Sequence, residues 1–228
     1  MPGDDRGARA DARRRGRGAG ADGGGVQRDR GRAAGPVVAL TWRVHATLAR
    51  SAANGPGTRF VVWAQGCTLG CPGCFNPETH GPRGDVRTVG DVAAEALGTP
   101  GIDGVTVSGG EPLEQPEALR EFCGLVRPSG LGIVVLTGFA RREIEADPGL
   151  SAAVERADMV IAGRYNARLR IGAGLRGSSN KEYWAVTGRY GPEDFADVPE
   201  SEIVIAADGT VSVTGMHAWE NEGRRGDR

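Results

Sequence analysis

Apolar and polar positions divide the chain into stretches of different texture. Residues 1–35 are Gly, Ala, Arg and Asp in low complexity, with nothing apolar at a helical or strand period. Such a stretch cannot bury enough surface to offset its ordering entropy. The expectation is a disordered tail, or an upstream start at Met1 that the working protein does not use. From Val37 the pattern changes. A short apolar segment, Val37–Leu48, leads to the turn signal Asn54-Gly55-Pro56-Gly57, and Thr58–Gln65 reads as a buried strand. Val89–Leu97 has helical spacing, and Gly104–Ser108 is a short β-branched strand. Pro116–Val126 predicts a helix with Pro in its first turn and Leu119, Phe122, Cys123 and Val126 on one face. Gly132–Leu136 is an apolar strand, Arg141–Ala157 is mostly helical with a break at Asp147-Pro148-Gly149, and Met159–Ala162 is another strand. Alternating strands and helices predict an α/β fold, a parallel sheet covered by helices. Glu202–Ala206 and Thr210–Thr214, joined through Asp208-Gly209, read as a hairpin. The domain layout expected is a tail at 1–35, a core domain at 36–185, a hairpin extension at 186–218 and a polar tail at 219–228.

Charge removes some function classes. Against 28 Lys+Arg stand 29 Asp+Glu, a formal net charge of −1. Residues 1–32 carry +4 and the remainder −5. That balance excludes a wholly basic nucleic-acid binder and a wholly acidic solvating chain. Lys181 is the sole lysine, every other basic residue being Arg, which reads as the coding bias of a GC-rich genome. No apolar run approaches a membrane span, and the N-terminus lacks the apolar stretch of a secretory signal. A cytoplasmic protein, with neither membrane nor nucleic acid as partner, is expected.

The cysteines carry the chemistry. Cys67, Cys71 and Cys74 form a C-x3-C-x2-C loop directly after a predicted strand, broken by Gly70, Pro72 and Gly73. Three thiolates at this spacing can converge on a soft metal centre. Three readings stand side by side: a zinc site recruiting His80, unligated cysteines, and a [4Fe–4S] cluster with one iron free for an outside ligand. Cys123, on an apolar helix face, reads as core. His45, His80 and His217 show no ligand spacing among themselves.

Cys67-x3-Cys71-x2-Cys74 followed by Ser108-Gly109-Gly110-Glu111-Pro112 resembles the radical S-adenosylmethionine (SAM) superfamily. The similarity to activating proteins of the anaerobic ribonucleotide reductase is closer. It extends to Asn54-Gly55-Pro56-Gly57-Thr58-Arg59, Thr137-Gly138 and Arg176-Gly177-Ser178-Ser179-Asn180, and runs from about residue 54 to 181. The resemblance implies a partial (β/α) barrel in which the three cysteines hold a [4Fe–4S] cluster and SAM chelates the free iron. It implies cofactor contacts at Gly109, Gly110, Glu111 and Pro112, where two glycines let backbone approach a ligand. Thr137, Gly138, Asp158, Arg176 and Asn180 resemble further family positions around SAM or substrate, and Gly163-Arg164 is similarly placed. One departure is Gly73, where many radical SAM enzymes carry an aromatic against adenine; Phe75 is expected to pack nearby instead. The implied activity is installation of a glycyl radical on a partner enzyme such as an anaerobic ribonucleotide reductase, with flavodoxin or ferredoxin as electron donor. A radical SAM enzyme acting on another peptide or metabolite, and a non-catalytic iron–sulfur or zinc module, are the rivals.

Overall fold

The computed structural model describes residues 39–205 and 208–216. The expected tails at 1–35 and 219–228, and His217, lie outside the described residues. The elements run β1 (Thr41–Ser51), β2 (Arg59–Ala64), β3 (Asp85–Thr88), α1 (Val89–Gly98), β4 (Gly104–Gly109), α2 (Pro116–Val126), β5 (Gly132–Leu136), α3 (Arg141–Ala146), α4 (Pro148–Val154), β6 (Met159–Ala162), β7 (Glu182–Ala185), β8 (Ser201–Ile205) and β9 (Val211–Gly215). Seven strands form one sheet in the order β3-β1-β2-β4-β5-β6-β7, and β8 and β9 form a separate hairpin.

The centre of the sheet is parallel, as the βα alternation predicts. Arg59 of β2 aligns with Gly104 of β4, and Gly104 with Gly132 of β5. The C-terminal ends of β2, β4, β5 and β6 therefore lie along one edge of the sheet, where open α/β folds place their ligands. The flanks β1, β3 and β7 are antiparallel. The seven strands thus form one mixed sheet, and among the described residues β3 and β7 end its strand order without pairing to each other.

Two apolar clusters sandwich the sheet. Phe60, Val62, Val105, Val107, Ile133, Val135 and Val160 pack on helix residues Val92, Leu119, Phe122 and Val154. Cys123 is fully buried in this cluster. Val134, Leu136, Met159 and Ile161 alternate to the other face of β5 and β6 and pack on Leu175, Phe195, Val198 and Met216. The segment after residue 185 thus supplies part of the core on that second face of the sheet.

Arg59, from the Asn54–Arg59 motif, is fully buried at the edge of the sheet away from the cysteine loop. Its guanidinium donates to Thr106 Oγ1 (3.2 Å), to Tyr190 Oη (2.9 Å) and to the carbonyls of Pro56 (3.3 Å), Val105 (2.6 Å) and Gly132 (2.8 Å). Burial lowers its pKa, yet these acceptors satisfy the group without a directly bonded carboxylate. A Cβ on Gly104 would strike Arg59 itself. This part of the motif pins the starts of three parallel strands.

Candidate functional site

The cysteine loop leaves β2 at Ala64 and is tied down before the first thiol. Gly66 N–H donates to the Thr79 carbonyl (2.8 Å) and Cys67 N–H to the His80 carbonyl (3.2 Å). One carboxylate oxygen of Glu114 accepts from both the Thr68 amide (2.6 Å) and the Thr68 hydroxyl (2.7 Å). The loop is thereby fixed to the turn that follows β4. Cys67, Cys71 and Cys74 are free thiols, each half-buried, and all three line one cavity.

The turn after β4 forms the facing wall. Gly109 and Gly110 line the cavity, but their lack of a Cβ has a packing cause. A Cβ on Gly109, at φ +105°, would strike the backbone of Ala64, and one on Gly110 the carbonyl of Gly66. The glycines let β4 and its turn press against the end of β2. The Glu111 carboxylate then braces the neighbouring strand end, accepting from Leu113 N–H (2.8 Å), Thr137 Oγ1–H (2.7 Å) and Gly138 N–H (2.7 Å). Burial pushes its pKa up, against those three bonds and the charge of Lys181.

Expected and observed site residues overlap in part. Cys67, Cys71, Cys74, Gly109, Gly110, Glu111, Thr137, Gly138 and Arg176 line the cavity. Pro112 is buried just behind it, opening the short 3-10 turn after β4. Asn180 is elsewhere: its amide donates to the Arg164 carbonyl (2.9 Å) on an adjoining groove shared with Pro72 and Gly73. Arg164 pairs with Glu143 and donates to the Gly138 carbonyl, bracing the site from outside. Asp158 is a correction. It precedes β6, at the far end of the sheet, and is fully buried there. Its carboxylate accepts from Arg127 (2.7 Å), Ile133 N–H (2.8 Å) and Thr187 Oγ1–H (2.7 Å). Burial would raise its pKa, but these partners outweigh it and hold the carboxyl below its ordinary value. It ties strand starts together, and the strand lies between it and the cavity.

Sequence reasoning missed Lys181, Tyr165 and Met216. Lys181 lines the cavity and donates to the Thr137 carbonyl (3.2 Å). Burial lowers its pKa, while Glu111, Cys71 and Cys74 act to raise it. Its signal was present: a lone lysine persists in a chain whose other cations are all arginine. Tyr165 packs edge-on against Phe75 at 5.0 Å, and both rings line the cavity. Arg176 lies over the Tyr183 ring, and among the described residues its buried Nε has no hydrogen-bond partner.

The donor set suits a cluster better than a single ion. Among the described residues, no three His, Cys, Asp or Glu side chains gather as one metal ion requires. A [4Fe–4S] cluster instead offers each thiolate a different iron, so its sulfur ligands stand apart around a common space. Three soft thiols lining one cavity meet that requirement, and His80 does not line it. Arg176 Nε, an orphaned buried donor, and the Lys181 ammonium are suited to an anionic group in the same space.

Residues 53–184 match the family model described as a 4Fe-4S single cluster domain. The anaerobic ribonucleoside-triphosphate reductase-activating protein of Enterobacteria phage T4 is 33% identical over 142 residues, 59% of this chain and 88% of that protein. A pyruvate formate-lyase-activating enzyme of Listeria monocytogenes is 36% identical over 127 residues, 52% of this chain and 51% of the enzyme. The pyruvate formate-lyase 1-activating enzyme of Escherichia coli K12 is 32% identical over 150 residues, covering 63% and 60%. The chain thus spans about half the length of the Listeria relative. A crystal structure of QueE from Escherichia coli aligns at TM-score 0.39 and 16% identity, covering 56% of this chain and 73% of that one.

Proposed function

Because the chain belongs to the 4Fe–4S single cluster domain family and to the radical SAM glycyl-radical activating group, we propose that it cleaves SAM reductively and installs a glycyl radical on a partner enzyme. The observation that carries this reading is the sharing of one cavity by the three thiols, the Gly109–Glu111 turn and the side chains of Arg176 and Lys181. Cys67, Cys71 and Cys74 hold the cluster. When bound and reduced, such a cluster would supply the one electron needed for reductive cleavage of the sulfonium of SAM.

The protein's own groups position and enclose. The Gly109–Gly110 backbone and the Glu111 brace fix one wall, and Thr137 and Gly138 fix the next strand end. Lys181 and Arg176 meet the methionine carboxylate, with the Nε donor of Arg176 finding the partner it lacks. Phe75, Tyr165 and Leu69 keep water from that space. Asn180, outside the cavity, contributes by holding the Arg164 backbone.

An anaerobic ribonucleotide reductase is the partner favoured here. The phage T4 protein, whose name states that activity, is matched over 88% of its length, against 51% and 60% for the two pyruvate formate-lyase activators. The reaction needs a one-electron donor such as flavodoxin or ferredoxin, and the cytoplasm is its proposed location. No helix among the described residues is long and apolar enough to cross a membrane. Anaerobic incubation with a glycyl-radical enzyme encoded in a neighbouring reading frame, SAM and reductant tests the reading. A SAM-dependent glycyl radical signal by electron paramagnetic resonance is the expected outcome. Formation of 5′-deoxyadenosine without that signal would assign the chemistry to a different substrate.

A further inference from the structure

The β8–β9 hairpin lies beyond the family match, which ends at residue 184, and its two faces are unlike. One face is seated on the turn after β1. Glu202 accepts from Ser51 Oγ–H (2.6 Å) and Ala52 N–H (3.0 Å), and Thr214 Oγ1 accepts from the Asn54 amide (2.8 Å). The other face carries Ile203 opposite Val213 and Ile205 opposite Val211, all four more than half exposed. That is an exposed apolar face on a two-stranded element.

The hydrogen-bond parity of the hairpin shows which backbone groups are spare. Met216 N–H donates to the Glu200 carbonyl at 2.8 Å, which makes Glu200 and Met216 a bonded pair. Bonded and non-bonded pairs alternate in an antiparallel ladder, so Glu202–Thr214 and Val204–Ser212 are bonded too. The N–H and C=O of Val211, Val213 and Gly215 therefore point away from β8. Among the described residues β9 has no strand on that side. Five consecutive residues, Ser212–Met216, line a cleft together with Ala46, Leu48 and Trp63 and with polar neighbours that include His45, Thr47 and Glu78. Side chains alternate along a strand, so such a run means that the edge itself faces the cleft. The cleft adjoins the cysteine cavity, the two sharing the lining residues Phe75, Asn76, Ser108 and Met216.

We propose that the open edge of β9 receives an extended, glycine-bearing peptide segment of the radical-accepting partner, which adds as a third strand and delivers its glycine past Met216 to the cavity. This deepens the function proposed above and rests on it. The occupant is an extended peptide with apolar side chains at alternate positions, because an added strand continues the face of Ile203 and Val213. Adjacency to the cavity favours it over a second copy of the chain, for which that nearness would have no use.

The test is isothermal titration of the cluster-loaded, SAM-bound protein with a capped seven-residue peptide of alternating valine and serine around a central glycine. V213P removes an outward N–H without touching a β8–β9 bond, whereas V213T keeps that N–H and the β-branched shape. Binding about tenfold weaker in V213P and near wild type in V213T is expected, with the Ser212 and Thr214 amides still protected from exchange. Should V213P lose the hairpin, wild-type protein is titrated with peptides N-methylated on one alternate set of amides or on the other. One set should bind like the parent and the other about tenfold more weakly. Equal binding by the two sets, equal binding by V213P and wild type, no binding to wild type, or a wild-type dimer that V213P dissociates would each overturn the proposal. Failure of the wild type to form 5′-deoxyadenosine from SAM without peptide would instead remove the reading beneath it.

Discussion

A carboxylate's role in this chain depends on which end of a strand it occupies. Glu111 and Asp158 are both buried, and each accepts three hydrogen bonds. One lies against the cavity and the other beyond the starts of β5 and β6, yet both read as site residues from family likeness alone. Met159–Ala162 reads as a strand, so Asp158 stands at its start, which in a parallel sheet is the end away from the cavity; the family likeness points the other way, and the strand direction decides. Asp158→Asn should cost about 2 kcal/mol in thermal unfolding, since an amide N–H₂ would face groups that need an acceptor. SAM affinity should stay unchanged, and a loss of affinity as large as the loss of stability would return Asp158 to the site. Its folded-state pKa lies below the ordinary value, so its contribution is complete above about pH 3.9 and lost as pH falls through the folded value. The variant should therefore show a flatter acid limb than the wild type.

Among the elements, those with a strong period were legible and those that complete the sheet were not. Pro116–Val126 and Gly132–Leu136 form with the bounds their patterns predict, because each buries an apolar set of matching period. β3 and β7 are four-residue edge strands, Asp-Val-Arg-Thr and Glu-Tyr-Trp-Ala, too short and too polar to stand out. β1 runs to Ser51, past the apolar segment's end at Leu48, since pairing with β2 and β3 decides its extent. The tie between the cysteine loop and the β4 turn is likewise tertiary, and nothing in the Thr68–Glu114 spacing announces it. Glu114→Ala removes that tie, and iron loss to a chelator should become about fivefold faster with little change in the secondary structure seen by circular dichroism. Unchanged iron loss would mean that the loop is held by its backbone bonds alone.

For the molecule as a whole, the cysteines separate into two classes by environment. Cys123, on the inward face of α2, is fully buried, and burial pushes its thiol up to about 12. Cys67, Cys71 and Cys74 are half-exposed at the cavity. In the metal-free native protein at mildly alkaline pH, iodoacetamide should modify those three and leave Cys123 intact, as read by peptide mass spectrometry. Labelling of Cys123 at a similar rate would show that the helix layer opens readily. The same division fixes the central test, which is reductive cleavage of SAM by the anaerobically reconstituted chain, measured as 5′-deoxyadenosine by mass spectrometry. Wild type and Cys123→Ala should form it and Cys71→Ala should not. A wild-type protein that holds iron and binds SAM but forms none, or a Cys71→Ala variant as active as wild type, would contradict the assignment of this cavity.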